Sequence, residues 1–206
     1  ALIPAELARR AKQLEYQGVA ITDHVDHTNL HWVLSNLLSG VGYLSIYSGV
    51  EVYAGVEITH VPPPLIPDLV DAARELGAQL VVVHGETIVE PVEKGTNLAA
   101  IEAGVDILAH PGLISEEEAS LAAENGVLLE ITTRKGHSLT NGHVLATARL
   151  HDCGLIINND AHGPDDLVPA DLRRYIAYGA GMTEEEYLQS EEMSRRLQQK
   201  ILEKQR

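Results

Sequence analysis

Short apolar runs recur along the chain, and six of them stop at a metal-binding or charged side chain. The runs cover residues 19–23, 53–56, 80–83, 105–109, 127–133 and 155–159. They recur every roughly 25 to 30 residues, which is the length of one strand–helix unit. The residues that follow them are His24, Glu57, His84, His110, Arg134 and Asp160, and His162 lies close behind the last.

Helical segments alternate with these runs, which predicts a parallel sheet with right-handed crossovers. In a parallel α/β barrel the ends of successive strands meet at one mouth, so residues far apart in sequence are expected to face one pocket. The 206 residues are enough for one domain but fall short of the roughly 250 typical of an eight-fold barrel. We therefore expect a single domain over residues 1–206, folded as a seven-unit or distorted TIM-like barrel.

Capping residues set the expected helix limits. Asn97 is expected to cap a short helix, and residues 39–48, with Gly40 and Gly42, are interpreted as a loop plus a short helix. Capping boxes are predicted at two further helix starts, formed by Ser115 with Glu118 and by Thr183 with Glu186. The second of these opens a long, highly charged helix.

Composition and charge narrow the expected partners. The formal net charge is −15, and nonspecific DNA binding depends on Lys and Arg neutralising phosphates, so we do not expect duplex nucleic acid as a partner unless a local basic pocket exists. Cys153 is the only cysteine, which suits a reducing cytoplasm. No apolar stretch reaches the roughly 18 residues needed to span a bilayer, so no membrane association is expected. The sequence does not indicate an oligomeric state.

The strand-end residues together indicate a metal site. A lone histidine at a strand end is more often a hydrogen-bonded structural residue than a ligand, but six candidates at the same strand ends favour metal binding. Imidazole and carboxylate suit zinc, manganese or iron. A carboxylate that bridges two such ions would let a bound hydroxide attack a phosphorus centre. The six candidates are His24, Glu57, His84, His110, Asp160 and His162.

Five short motifs carry a family resemblance that covers almost the whole chain. They are Thr22-Asp23-His24, Gly55-Val56-Glu57, Val83-His84-Gly85, Ala109-His110-Pro111-Gly112 and Asn159-Asp160-Ala161-His162. In this order they resemble the motifs of the PHP (polymerase and histidinol phosphatase) family, in particular its small stand-alone, histidinol-phosphatase-like members. The resemblance implies a distorted (β/α)7 barrel with two or three divalent metal ions.

The resemblance also implies a role for each motif residue. Glu57 would bridge two metal ions and Asp160 would complete the first site. His84 with His110 would hold the second ion, and His24 with His162 would hold the third. The family begins with a strand that carries a His-x-His pair, whereas this sequence begins at the helix that follows it. We therefore expect the first strand and its ligands to be missing from the sequence.

A basic segment after the fifth run is a candidate phosphate site. Arg134, Lys135 and His137 follow a strand and precede a helix start, where bidentate Arg geometry and the helix N-terminus both favour an anion. An exposed loop with incidental basic residues is the alternative. His60 and Glu86 also lie just past strand ends and are candidates to orient ligands, with simple loop roles as the alternative.

The leading functional prediction is a metal-dependent phosphoesterase. It would hydrolyse a small phosphomonoester, such as a histidinol phosphate-like compound or a nucleotide, through a metal-bound hydroxide. Glu57, Asp160 and Arg134 are its expected catalytic residues. One alternative is a noncatalytic PHP module with an incomplete metal site. Amidohydrolase chemistry in a related barrel is a third class, which is disfavoured because no predicted strand ends in Lys.

Overall fold

A computed structural model describes residues 2–204 and contains a wholly parallel, six-stranded sheet. The strands are β1 Gly18–Val25, β2 Glu51–Ile58, β3 Leu80–His84, β4 Ile107–Ala109, β5 Leu128–Thr132 and β6 Leu155–Asn158. They pair in sequence order, so β1 and β6 form the two edges of the described sheet. The sheet curls into a half-barrel, which confirms the TIM-like α/β class, with six strands among the described residues where the resemblance implied seven.

Helices connect the strands and continue after the last one. They are α1 Pro4–Gln13, α2 Leu30–Ser48, α3 Ile66–Glu75, α4 Thr96–Glu102, α5 Glu116–Asn125, α6 Asn141–Leu150, α7 Ala170–Gly179 and α8 Glu184–Lys204. Short 3₁₀ turns lie at Pro63–Leu65, His137–Thr140 and Pro164–Asp166. Within residues 2–204, no helix is both long enough and apolar enough to cross a membrane.

Both faces of the central strands carry buried apolar side chains, as expected for parallel strands that read as continuous apolar runs. Side chains alternate along β3, so Val81 and Val83 join the large core while Leu80 and Val82 join a smaller cluster. The remaining buried members of the smaller cluster are Ile107, Ala109 and Ile156. The large core therefore lies on one side of the sheet and the smaller cluster on the other.

Helix α2 is longer than predicted. Residues 39–48, interpreted as a loop plus a short helix, belong to the single helix Leu30–Ser48. Each interior glycine costs a helix about 1 kcal/mol relative to alanine. Val33, Leu37 and Val41 nevertheless recur every fourth residue and are buried, and this packing outweighs the propensity of the glycines.

The predicted helix caps are confirmed at two helices and wrong at one. The capping boxes before α5 and α8 both form, with reciprocal hydrogen bonds between Ser115 and Glu118 and between Thr183 and Glu186. Asn97 does not cap α4, because that helix begins at Thr96 after Gly95. The Asn97 side-chain oxygen instead accepts a hydrogen bond of 3.0 Å from the Glu86 backbone N–H.

A cavity of about 840 Å³ occupies the concave side of the half-barrel, with residues of both edge strands in its wall. The smaller apolar cluster lines much of it. At the carboxyl ends of the strands the lining changes to polar side chains, namely His24, Glu57, His110, Glu130, Asp160 and His162. The fold therefore brings metal-type residues from five strand ends to one end of one cavity.

Candidate metal centre

The parallel register places the first candidate residues side by side. His24 in β1 is the direct partner of Glu57 in β2. His84 is the last residue of β3, and His110 immediately follows β4. Because all strands run in the same direction, these residues meet at the carboxyl edge of the sheet, as the spacing of the runs predicts.

Glu57 is buried between two imidazoles without a hydrogen bond to either. Its Oε2 lies 3.8 Å from His24 Nε2, and its Oε1 lies 3.8 Å from His110 Nε2, which is too long for a hydrogen bond. Oε1 and His110 Nε2 are both buried and have no partner among the described residues. Burial raises the pKa of Glu57 to about 8, and the charges of Asp160 and Glu130 act in the same direction. A cation at this position would restore the carboxylate.

His110 is held from its other side by Glu130, a residue that the sequence analysis did not single out. Glu130 Oε2 accepts hydrogen bonds from His110 Nδ1 at 3.0 Å and from its backbone N–H at 2.9 Å. Burial by itself would lower the pKa of His110, but the hydrogen bond and charge of Glu130 raise it. A glutamate inside the apolar run of β5 was the signal that could have revealed this residue.

His137 turns towards the histidine cluster rather than towards solvent. Its ring stacks on His110 with centroids 4.2 Å apart, and its Nδ1 lies 2.8 Å from Thr87 Oγ1. His84, His110 and His137 form a buried trio whose potential ligand atoms lie within 4.8 Å of one another. Burial, reinforced by the charge of His110, lowers the pKa values of His84 and His137 to about 4. The neutral imidazoles of His84 and His137 can therefore bind a metal ion.

Asp160 and His162, expected at a strand end, lie close together just beyond one. Strand β6 ends at Asn158, so alternation along a strand does not place them. They follow the strand in a loop, where His162 Nδ1 is 3.3 Å from Asp160 Oδ1 and the His162 ring centroid is 5.3 Å from that of His24. Burial, with the charge of Glu130, raises the pKa of Asp160. This carboxyl thus lies in the same cation-favouring surroundings as Glu57.

Arg134 binds two carboxylates in the structure. Its Nε lies 3.3 Å from Asp160 Oδ2, and its Nη1 donates to Asp166 Oδ2 at 3.1 Å and to the Asp160 carbonyl oxygen at 2.9 Å. The adjacent Lys135 is exposed. Contact of Arg134, Lys135 and His137 with a substrate phosphate therefore stays a prediction, and the observed contacts of Arg134 are with Asp160 and Asp166.

Three residues of this region have a backbone conformation that side chains other than glycine rarely adopt. His60 has φ 54°, His110 has φ 30° and Asp160 has φ 48°. Positive φ is uncommon for non-glycine residues, and such strain concentrates at functional sites because the surrounding packing must maintain it. The strain supports the view that these strand ends are shaped for a site.

Glu90, in the loop between β3 and α4, is a second residue that the sequence analysis missed. Its Oε2 lies 3.2 Å from His84 Nε2 and 3.3 Å from His60 Nε2, and its Oε1 lies 3.4 Å from His137 Nε2. Burial would raise its pKa, but the charges of His84 and His137 lower it. No strand-end pattern marks this position, which follows the end of β3 by six residues.

No family model matches the chain. It is 46% identical over 187 residues to the uncharacterized protein MJ1295 of Methanocaldococcus jannaschii, a match that covers 90% of this chain and 86% of that protein. It is 26% identical over 201 residues to ribonuclease P protein component 3 of Methanosarcina barkeri, covering 90% of this chain and 77% of that protein.

Two solved structures have a similar fold. A chain of the cryo-EM structure of archaeal ribonuclease P with mature tRNA matches with a TM-score of 0.74 and 20% identity, covering 95% of this chain and 87% of that one. The proposed histidinol phosphatase hisK of Listeria monocytogenes matches with a TM-score of 0.57 and 11% identity, covering 80% and 92%. At these identities the likeness establishes the fold alone. By sequence, the chain belongs to the same family as MJ1295 of M. jannaschii.

Proposed function

We propose that the protein is a metal-dependent phosphoesterase of the PHP type that acts on a small phosphomonoester. The observation that carries this proposal is the buried carboxyl of Glu57. Its Oε1 has no hydrogen-bond partner among the described residues, and its two oxygens each lie 3.8 Å from a histidine nitrogen. The PHP-like motifs and the fold shared with the Listeria protein support the phosphoester class.

The donor atoms fit a divalent metal centre. Two ligand atoms about 2.0 to 2.2 Å from a common ion can be 3.8 Å apart, which is the separation of Glu57 from His24 and from His110. Imidazole with carboxylate suits zinc, manganese or iron. Two or three ions would be held by His24, Glu57, His84, His110, Asp160 and His162.

Bound divalent ions would supply Lewis acidity, which polarises a phosphoryl oxygen and lowers the pKa of water. The chain's own residues would organise that chemistry. Glu57 would link the ions, and Glu130 would keep Nε2 of His110 directed at Glu57 through its bond to Nδ1. Asp160 would add a further carboxylate, and Arg134 would hold the Asp160 loop and present N–H groups to the substrate phosphate.

The cavity supports a small substrate. Its volume of about 840 Å³ lies within the roughly 300 to 1,000 Å³ usual for small-molecule sites. A histidinol phosphate-like compound or a nucleotide monophosphate would fit such a space, with the phosphate at the metal end and the remainder against the apolar lining.

A second candidate function is a noncatalytic module of a ribonucleoprotein assembly. Two observations favour it: the similarity to ribonuclease P protein component 3 and the likeness to a chain of ribonuclease P with mature tRNA. These relationships also weigh against the expectation that nucleic acid is not a partner. With a formal net charge of −15, any RNA contact would be local.

Substitution of Glu57 tests the main proposal. Glu57→Gln should lose more than one equivalent of metal and nearly all phosphatase activity, because a neutral amide is a poor bridge between cations. Glu51→Gln, at an exposed position of the same strand, should match the parent. Metal content by elemental analysis and turnover of histidinol phosphate, nucleotides and p-nitrophenyl phosphate are measured on the same preparations. A fully metal-loaded parent that hydrolyses none of them but shifts tRNA in a gel would favour the assembly module.

A further inference from the structure

Near the carboxyl ends of the strands, three potential ligand atoms converge on the side of His84 that faces Glu90. Glu90 Oε2 is 3.2 Å from His84 Nε2 and 3.3 Å from His60 Nε2. The potential ligand atoms of His60, His84 and Glu90 all lie within 4.8 Å of one another. The cluster therefore has the compactness that a shared cation requires.

The hydrogen bonding of His84 explains why this cluster favours a cation. His84 Nδ1 lies 3.1 Å from the carbonyl oxygen of Gly85, an acceptor, so Nδ1 carries the ring hydrogen. In a neutral imidazole the other nitrogen is then a lone pair. That nitrogen lies 3.2 Å from Oε2 of Glu90, so two acceptors lie close together. A positive ion between them converts this repulsion into coordination.

The loop that carries Glu90 is built to hold it there. Glu86 Oε1 accepts hydrogen bonds from the backbone N–H groups of Gly95 at 2.8 Å and Asn97 at 3.0 Å, which closes the base of the loop. Val92 N–H donates to the Glu90 carbonyl oxygen at 2.9 Å. Glu86 thus has a loop role, while the Glu90 carboxylate is left directed at the histidines.

We propose that His60, His84 and Glu90 form an outer site for a divalent transition-metal ion, separate from the centre around Glu57. Two imidazoles and one carboxylate are a donor set that leaves a coordination position open in zinc enzymes. His60 and Glu90 are both partly exposed, with side-chain exposures of 42% and 38%, so water or an anionic ligand can reach that position. Because its Nδ1 is engaged with Gly85, His84 has one nitrogen for an ion. In this arrangement it serves the outer ion in place of the inner centre, which is then held by His24, Glu57, His110, Asp160 and His162.

This outer site can be tested without an assay of hydrolysis, because the proposal concerns only the binding of the ion. Metal-free protein is titrated with Zn²⁺ by calorimetry, and bound zinc is counted after gel filtration. Glu90→Gln and His60→Asn should each lose one equivalent, or bind it at least about 100-fold more weakly, the upper range for ligand-supporting residues. Glu93→Gln, at an exposed position of the same loop, should bind as the parent does.

Cobalt substitution provides a second readout. The visible spectrum of the Co²⁺-loaded parent should contain a component that is missing in Glu90→Gln and present in Glu57→Gln, which separates the two sites. Equal zinc stoichiometry and affinity in the parent, Glu90→Gln and His60→Asn would overturn the outer site. If the parent protein binds the Glu90-dependent zinc but has no phosphatase activity, only the proposed function is contradicted. Circular dichroism of each metal-free variant verifies folding.

Discussion

Glu130 binds His110 twice, through its Nδ1 at 3.0 Å and through its backbone N–H at 2.9 Å. Asn158 donates to the other carboxylate oxygen of Glu130 at 3.0 Å, so this oxygen also has a partner. Because Nδ1 donates to Glu130, Nε2 of His110 is left free to face Glu57. A carboxylate that orients a histidine in this way is the usual support of a metal-binding imidazole.

Glu130→Gln should therefore weaken metal binding without removing a ligand. An amide cannot accept both hydrogen bonds with the strength of a carboxylate, so Nδ1 and Nε2 of His110 lose their fixed roles. We expect zinc affinity, measured by competition with a chelator, to fall about 10- to 100-fold. Glu124→Gln, at an exposed position of α5, is the control. An affinity equal to that of the parent would show that Glu130 has a structural role alone.

Much of the fold and part of the site could be predicted from the sequence, because parallel strands impose a simple rule. An apolar run that ends on His24, Glu57, His84 or His110 marks both a buried strand and its carboxyl end. Since all such ends meet at one edge, the proximity of these residues follows from the periodicity alone. The strands of the described sheet do lie in sequence order, from β1 to β6.

Loop residues could not be placed by that rule. Glu90 reaches His60, 30 positions earlier, and His137, 47 positions later, only because the loop after β3 folds back over the mouth. Asp160 and His162 were expected at a strand end, yet β6 ends at Asn158 and both residues lie in the loop after it, where Asp160 has a positive φ. Such tertiary contacts and local backbone strain leave no periodic signal in a sequence.

Gly112 should be intolerant of a side chain, because of crowding rather than backbone strain. A Cβ at Gly112 would overlap the carbonyl group of Glu86, whereas a Cβ at Gly126 meets no atom within 4 Å. Their φ angles are nearly equal, at 66° and 68°, so the strain cost of alanine is shared. Gly112→Ala should be less stable than Gly126→Ala by about 1 to 3 kcal/mol in urea unfolding. An equal loss of stability in both variants would mean that the loop of Gly112 can move away from Glu86 at no cost.

The ion pair between Arg149 and Glu186 should contribute stability that depends on pH. Two short hydrogen bonds, of 2.5 and 2.7 Å, join them, and Arg149 lowers the pKa of Glu186 to about 2. Because the folded pKa is below the unfolded value of 4.5, the contribution is present above pH 4.5 and is lost as the pH falls towards about 2.

Arg149→Met should then lower the Tm at pH 7 by about 2 to 4 °C, which corresponds to roughly 1 kcal/mol. The difference from the parent should shrink when both are measured at pH 3. Arg195→Met removes a more exposed pair, 3.4 Å from Glu192, and should change the Tm little at either pH. A deficit for Arg149→Met that is the same at pH 3 and pH 7 would rule out the ionic origin.

Arg134 distinguishes phosphate binding from support of the metal centre. Its guanidinium contacts Asp160 and Asp166, yet it remains 26% exposed and is directed at the mouth, where a substrate phosphate would compete for its N–H groups. Loss of a charge-assisted contact of roughly 1.5 to 3 kcal/mol should lower kcat/KM of Arg134→Ala about 10- to 100-fold, with metal content unchanged. Arg196→Ala, at an exposed position of α8, is the control. If metal content falls in parallel with activity, Arg134 acts through Asp160. If kcat/KM equals that of the parent for several phosphomonoesters, Arg134 does not bind the substrate phosphate.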